Sequence, residues 1–364
     1  MKVIVSILVA IILIGYLFLE YYPAFGRKPS KEKIQTFNQS PNFITNKFIN
    51  QIPTSMDMDA RTVISILGDF IKGKPKIRPE RLIPVQPLDI VDIQDARQTK
   101  VTWFGHSTIL LEMEGKRLLL DPMFAKMPSP FPLFGGKRYS ETLPIEIENL
   151  PSIDAVIISH DHYDHLDYHS IMKLKDKVSQ FYVPLGVGGH LERWGVDQEK
   201  IKEHDWWDES QLGGLQLVAT PTRHFSGRGL FDRNATLWCS WVIIGEHAKV
   251  YFSGDGGYGP HFKEIGEKYG PFDLTLMECG QYDERWSAIH MMPEETIQAH
   301  LDLKGKIIIP IHWSAFSLAL HDWTDPIERV TKAAKEGHID ISTPKIGETI
   351  IIGANRYPSS IWWR

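Results

Sequence analysis

Within six residues, His160-Asp161-His162-Tyr163-Asp164-His165, the chain sets three imidazoles and two carboxylates side by side. They follow the apolar run Ala155-Val156-Ile157-Ile158 and precede Leu166-Asp167-Tyr168-His169, which reads as the start of a helix. Ionisable groups crowded this closely gain little from one another unless they face a common cation. Neutral imidazole and carboxylate are the donors expected for zinc and similar divalent ions. At a strand end the cluster can bracket two ions, with His160 and His162 turned one way and Asp164 and His165 the other. The alternative is a polar turn that happens to be histidine-rich.

A chain of 364 residues has room for one large domain or two ordinary ones. Its 43% hydrophobic and 23% charged residues are globular proportions. A formal net charge of −5 supplies no basic field, so nucleic acid is not an expected partner. Cys239 and Cys279 lie in apolar segments and read as buried thiols rather than a disulfide.

The amino terminus is different in kind. From Val3 to Leu19 there is no charged residue, and only Ser6, Gly15 and Tyr16 interrupt the aliphatic run. As a helix this stretch spans about 25 Å, just short of a hydrocarbon core. Tyr21, Tyr22 and Phe25 then suit a headgroup interface. A cleaved signal peptide is the competing reading. Lys2 fits it, but no small-x-small cleavage site follows. Residues 1–25 are therefore expected to be a retained single-pass transmembrane anchor. Arg27, Lys28, Lys31 and Lys33 after the span, against Lys2 before it, favour a cytoplasmic catalytic domain.

Residues 26–95 are rich in Pro, Lys, Asn and Gln, and are expected to form an extension packing on the core. The core itself occupies 96–364. Short β-type runs recur there at 101–103, 108–111, 117–120, 154–159, 215–220, 237–244, 249–253, 274–277 and 307–311. Helical patterns fall between some of them, at 164–175, 293–303 and 326–335, the last two with Pro293 and Pro326 in the first turn. Strands mixed with helices over this length imply an α/β protein of stacked sheets with helices outside.

Four further segments put polar residues where strands end. They are Thr220-Pro221-Thr222-Arg223-His224, Ser253-Gly254-Asp255-Gly256-Gly257, Ile311-His312-Trp313 and, before a helix, Ile289-His290-Met291-Met292-Pro293. The order of these residues after the opening cluster resembles the metallo-β-lactamase superfamily, with its His-x-His-x-Asp-His motif, a later His, an Asp and a final His. From Val101 to Ile352 the chain is most similar to the N-acyl-phosphatidylethanolamine-hydrolysing phospholipase D family. The runs that carry the similarity include Trp103-Phe104-Gly105-His106-Ser107-Thr108, Val183-Pro184-Leu185-Gly186, Asp205-Trp206-Trp207, Glu284-Arg285-Trp286 and Ile311-His312-Trp313.

The resemblance implies a four-layer αβ/βα sandwich with two divalent metal ions, zinc in most of the family and Mn2+ or Fe2+ compatible with the donors. It assigns His160, His162 and His224 to one ion, Asp164, His165 and His312 to the other, and Asp255 to both. His290 resembles the family's candidate general acid, with a contact to the substrate phosphate or a structural role as the alternatives, and Asp164 belongs with it to the catalytic set. Ile289, beside it, stands where the animal enzymes are expected to carry a glutamine. Asp121 before Pro122 is placed either to orient a ligand imidazole or to make a simple turn, and Tyr163 either to meet substrate or to pack. His106 reads as a structural turn residue. The implied function is hydrolysis of a phosphodiester, that of N-acyl-phosphatidylethanolamine or a related phospholipid, with a metal-bridging hydroxide as nucleophile. A lactonase or cyclic-phosphate phosphodiesterase would use the same seven ligands. A non-catalytic membrane-associated binding protein is the third reading.

Overall fold

The computed structural model describes residues 2–54, 60–73, 76–89, 98–131 and 136–364. The boundary expected between 95 and 96 lies outside them.

Helix α1 (Lys2–Tyr21) is followed by α2 (Lys31–Phe37), the two-residue strands β1 (Phe43–Ile44) and β2 (Lys47–Phe48), and α3 (Ala60–Lys72). Over Ile4–Tyr21 the mean hydropathy of α1 is 2.4 and none of it is buried, so it is long and apolar enough to cross a membrane. The segment after it behaves otherwise. Phe37, Phe43 and Phe48 pack ring on ring and, with Ile83, belong to the main core.

Two seven-stranded sheets follow among the described residues. The first contains β3 (Lys100–Trp103), β4 (Ile109–Met113), β5 (Lys116–Leu120), β6 (Ile153–Ile157), β7 (Val178–Pro184) and β8 (Ile201–His204). The second contains β9 (Glu209–Leu212), β10 (Leu215–Thr220), β11 (Ser240–Ile244), β12 (Lys249–Phe252), β13 (Phe272–Glu278), β14 (Gly305–Ile311) and β15 (Asp340–Ile341). Strand β16 (Thr349–Ile351) returns to the first sheet beside β3. Both sheets are half antiparallel and half parallel: pairing is parallel along β5-β6-β7-β8 and along β12-β13-β14-β15.

All five residues of β4 are buried, as expected of a strand covered on both faces. Ile109 and Leu111 face the interior with Leu118, Leu120 and Ile157, against Leu217, Ala219, Trp241 and Phe252 of the second sheet. Leu110, Leu119, Val156 and Phe181 face the other way. They pack beneath α4 (Tyr168–Leu174) and α5 (Gly188–Arg193) through Ile171, Leu174 and Leu191. The second sheet is covered by α6 (His261–Lys268), α7 (Pro293–Asp302) and α8 (Asp325–Glu336), through Phe262, Ile265, Ile297, Leu303, Ile327 and Val330. Helix, sheet, sheet, helix is the expected four-layer αβ/βα sandwich.

Local departures from the sequence reading have physical causes. The helix expected from 164 begins at Tyr168, because Asp167 stays extended and caps it, accepting from Ser170 N at 2.7 Å. Residues 164–166 are thus left outside the helix. Strands β7, β8 and β9, not anticipated, carry Ser179, Gln180, Lys202, Glu203, Glu209 and Gln211 among their apolar residues.

Candidate metal centre

In open parallel sheets, functional groups collect where the strands end. Asp121 follows β5, the His160–His165 loop follows β6, Asp255 follows β12, Glu278 ends β13 and His312 follows β14. His224 follows β10. The edge where these ends meet joins the two sheets.

Three imidazoles converge first. His160 Nε2 and His224 Nε2 lie 2.9 and 3.2 Å from His162 Nδ1. Their other nitrogens are held from behind. His160 Nδ1 meets Ser159 Oγ at 2.9 Å, and His224 Nδ1 donates to Ile289 O at 2.9 Å. Burial pushes His162 down to about 4 and the other two well below the usual histidine value. Neutral rings, lone pairs inward, are the state a metal requires.

Beside them, Asp164, His165, His312 and His106 bring donor atoms within 4.8 Å of one another. Asp121 fixes the second ring: its Oδ2 accepts from His165 Nδ1 at 2.7 Å, while Oδ1 accepts from Ser159 N at 2.7 Å. His165 Nε2 consequently faces inward, 3.0 Å from Asp255 Oδ2 and 3.4 Å from Asp164 Oδ2. Asp255 also approaches His160, at 3.8 Å, so it stands between the two groups.

The donor set fits divalent ions. His165 Nε2 and Asp255 Oδ1 are buried and lack a hydrogen-bond partner, although each has charged neighbours. Leaving buried polar atoms unsatisfied costs about 1–3 kcal/mol apiece, and a cation at that point removes the cost. Burial opposes charge on His165, yet Asp255, Asp164 and Asp121 outweigh it and raise its proton affinity well above normal. Asp255, by contrast, is pushed up to about 6 by burial against the pull of His165. A proton held among these groups is what a bound ion displaces.

His290 packs over this arrangement, its ring 5.2 Å from that of His224 and 5.4 Å from that of His312. Its Nδ1 is 2.9 Å from Oε2 of Glu278, a fully buried carboxyl whose Oε1 accepts from Met291 N at 2.8 Å. Burial raises Glu278 well above the usual carboxyl range and lowers His290.

The β-lactamase superfamily domain matches residues 116–313, the span that holds every group above except His106. The chain belongs to the β-lactamase superfamily. An uncharacterised protein of Mycobacterium tuberculosis is 42% identical over 332 residues, 90% of this chain and 88% of that one. An N-acyl-phosphatidylethanolamine-hydrolysing phospholipase D of Caenorhabditis elegans is 33% identical over 253 residues, 66% of this chain and 71% of that enzyme. Among solved structures, a metallo hydrolase from Ignicoccus hospitalis shares the fold, with a TM-score of 0.55 at 24% identity over 71% of this chain and all of that one. As a superfamily member the chain is a metal-dependent hydrolase.

Within this superfamily site, the structure brings together all seven residues expected to hold metal, with Asp121 behind them. Tyr163 has a different situation: its hydroxyl donates to Arg228 O and its ring lies under the Arg228 guanidinium at 4.2 Å. Two residues escaped the sequence reading. His106, taken for a turn residue, has Nε2 2.8 Å from Asp164 Oδ2. Glu278 had one available signal, a carboxylate ending a buried strand whose neighbours end near Asp255 and His312.

Proposed function

We propose that this hydrolase is a phosphodiesterase of phospholipase D type, acting on N-acyl-phosphatidylethanolamine or a related phospholipid at a membrane. In this reading residues 1–25 are the anchor and 96–364 the catalytic domain, on the cytoplasmic side. His160, His162 and His224 hold one ion, and Asp164, His165 and His312 the other. Asp255 is shared, and zinc is the proposed metal. Bound ions of this kind acidify water at neutral pH and neutralise charge on phosphoryl oxygens.

The observation that carries the reading is His290 with Glu278 behind it. Cleavage of the alcohol side of a phosphodiester expels an alkoxide, which needs a proton. One proton shared by Glu278 and His290 leaves an N–H at His290 Nε2 whichever partner formally holds it. A neutral carboxyl donates to Nδ1, and a carboxylate faces an imidazolium; Nε2 is protonated in both. His290 then gives that proton to the leaving oxygen. Asp164, held by His106, keeps its orientation in the second donor group during the reaction. The similarity to the nematode phospholipase D supports the choice of lipid.

The test is an assay of metal-loaded, full-length protein on vesicles containing N-acyl-phosphatidylethanolamine, with phosphatidic acid and N-acylethanolamine measured by mass spectrometry. Release of both products is expected. No phosphatidic acid, with efficient cleavage of lactones or cyclic phosphates instead, would overturn the phospholipase reading.

A further inference from the structure

The base of α1 is fastened to the metal loop. Trp194 Nε1 donates to Pro23 O at 2.8 Å, and Arg193 Nη2 donates to Glu20 O at 2.8 Å. Arg228, only 4% exposed, donates through Nη2 and Nε to Ala24 O at 2.8 and 3.1 Å. Its Nη1 donates to Asp161 O at 2.5 Å and Leu166 O at 2.8 Å, the carbonyls that bracket the His162–His165 turn. One buried guanidinium therefore couples the root of the apolar helix to the loop carrying four of the seven metal donors.

The loop leaving His224 reaches the same place. Its tip carries Leu230 and Phe231, 73% and 84% exposed, and they border one cleft with Tyr16, Leu19 and Phe25 of the helix and its base. From Tyr16 to Tyr21 the helix rises by roughly 8 Å, the depth of a headgroup region. Arg27, Lys28 and Arg193 lie along the same cleft, with Lys28 Nζ 5.9 Å from the Phe231 ring. Apolar tips beside an apolar helix, with cations at its base, are the composition of a bilayer interface. Of the metal-site residues, His162, Asp164 and His290 are the partly exposed ones, and Phe225 of this loop packs on His162 at 4.5 Å.

We propose that the Leu230–Phe231 tip inserts into the leaflet that α1 enters, with Arg27, Lys28 and Arg193 at the phosphate level, so that the mouth at His162 opens on the bilayer surface. This rests on the reading of α1 as an anchor. The tip sets depth and orientation, which a single helix alone leaves free.

Full-length protein in phosphatidylcholine–phosphatidylglycerol vesicles tests it. Cys239 and Cys279 are buried, so a nitroxide can be directed to Phe231→Cys, to Leu13→Cys within α1, or to exposed Lys263→Cys on α6. Collisions with oxygen and with a water-soluble nickel chelate report depth. The expected pattern is oxygen-accessible, nickel-protected labels at 13 and 231, and the reverse at 263. A label at 231 that behaves like 263 while 13 stays in the bilayer overturns the proposal and leaves the anchor standing. A solvated label at 13 overturns the anchor itself. Spin–spin broadening with protection from both reagents at 231 means a second copy covers the tip, and also overturns it. In parallel, Leu230→Glu with Phe231→Glu should lower vesicle-lipid hydrolysis about tenfold or more, with hydrolysis of soluble bis-p-nitrophenyl phosphate unchanged. Equal loss on both substrates counts against it.

Discussion

Glu278 Oε2 lies 2.9 Å from Nδ1 of His290, and the carboxyl has no exposure to solvent. The pair bridges β13 to the loop before α7. Glu278→Gln preserves shape and a hydrogen bond but removes the store for the shared proton. His290 then titrates alone at its burial-lowered value, so the alkaline limb of the kcat profile moves to lower pH. At neutral pH kcat is expected to fall about 10²-fold, with KM and metal content retained. His290→Gln should lose as much and show no such limb. An unchanged limb in the Glu278 variant would mean the carboxyl only packs.

Metal content is the next check. His224→Ala removes one of the two nitrogens that lie within 3.2 Å of His162 Nδ1. Inductively coupled plasma analysis should find close to one ion per chain instead of two. Asp255→Asn, between both groups, should deplete both ions and abolish turnover. A chelator should inactivate the wild type, and added Zn2+ should restore it.

Asp121 acts through His165. It is buried, accepts from Ser159 N, Ser159 Oγ and His165 Nδ1, and so dictates which nitrogen of His165 faces the centre. Asp121→Asn places an amide against that ring and frees the tautomer. Metal affinity should drop about 10–100-fold, measured by competition with a chromophoric chelator. Thermal stability of the metal-free protein should change much less.

The sequence was most legible where chemistry interrupts apolar runs. Ile157-Ile158 breaking into His160–His165, or Phe252 into Asp255, marks a strand end by composition alone. Buried β4 and β14 were readable as uniform runs for the same reason. Strands β8 and β9 were not, because partly exposed edge strands mix Lys202, Glu203, Glu209 and Gln211 with their apolar residues. Single residues were the hardest. Nothing local separates His106, which faces Asp164, from Asp161, which sits inside the motif yet accepts from Gly227 N and Thr236 Oγ1 away from the metal donors. Both depend on which distant loop arrives opposite them.

Acid should destabilise the fold through histidines outside the donor groups. His300 packs on the second sheet with Thr275 Oγ1 2.7 Å from Nδ1, and burial lowers it to about 4. His261, at the start of α6, is lowered to about 3 by burial and has an unpartnered Nε2. An unfolded histidine takes its proton near 6.5. Below that pH the unfolded chain therefore binds more protons than the fold, and stability falls as pH decreases. The slope is about 1.4 kcal/mol per pH unit for each histidine. It applies from about 6.5 down to 4 for His300 and down to 3 for His261, then vanishes. Urea midpoints at pH 7, 6 and 5 should decline for wild type and decline less for His300→Gln. Acid loss of metal affects both proteins alike, so it cancels in the difference between them. Parallel lines for the two proteins would show that His300 takes up its proton as readily in the fold as in the unfolded chain.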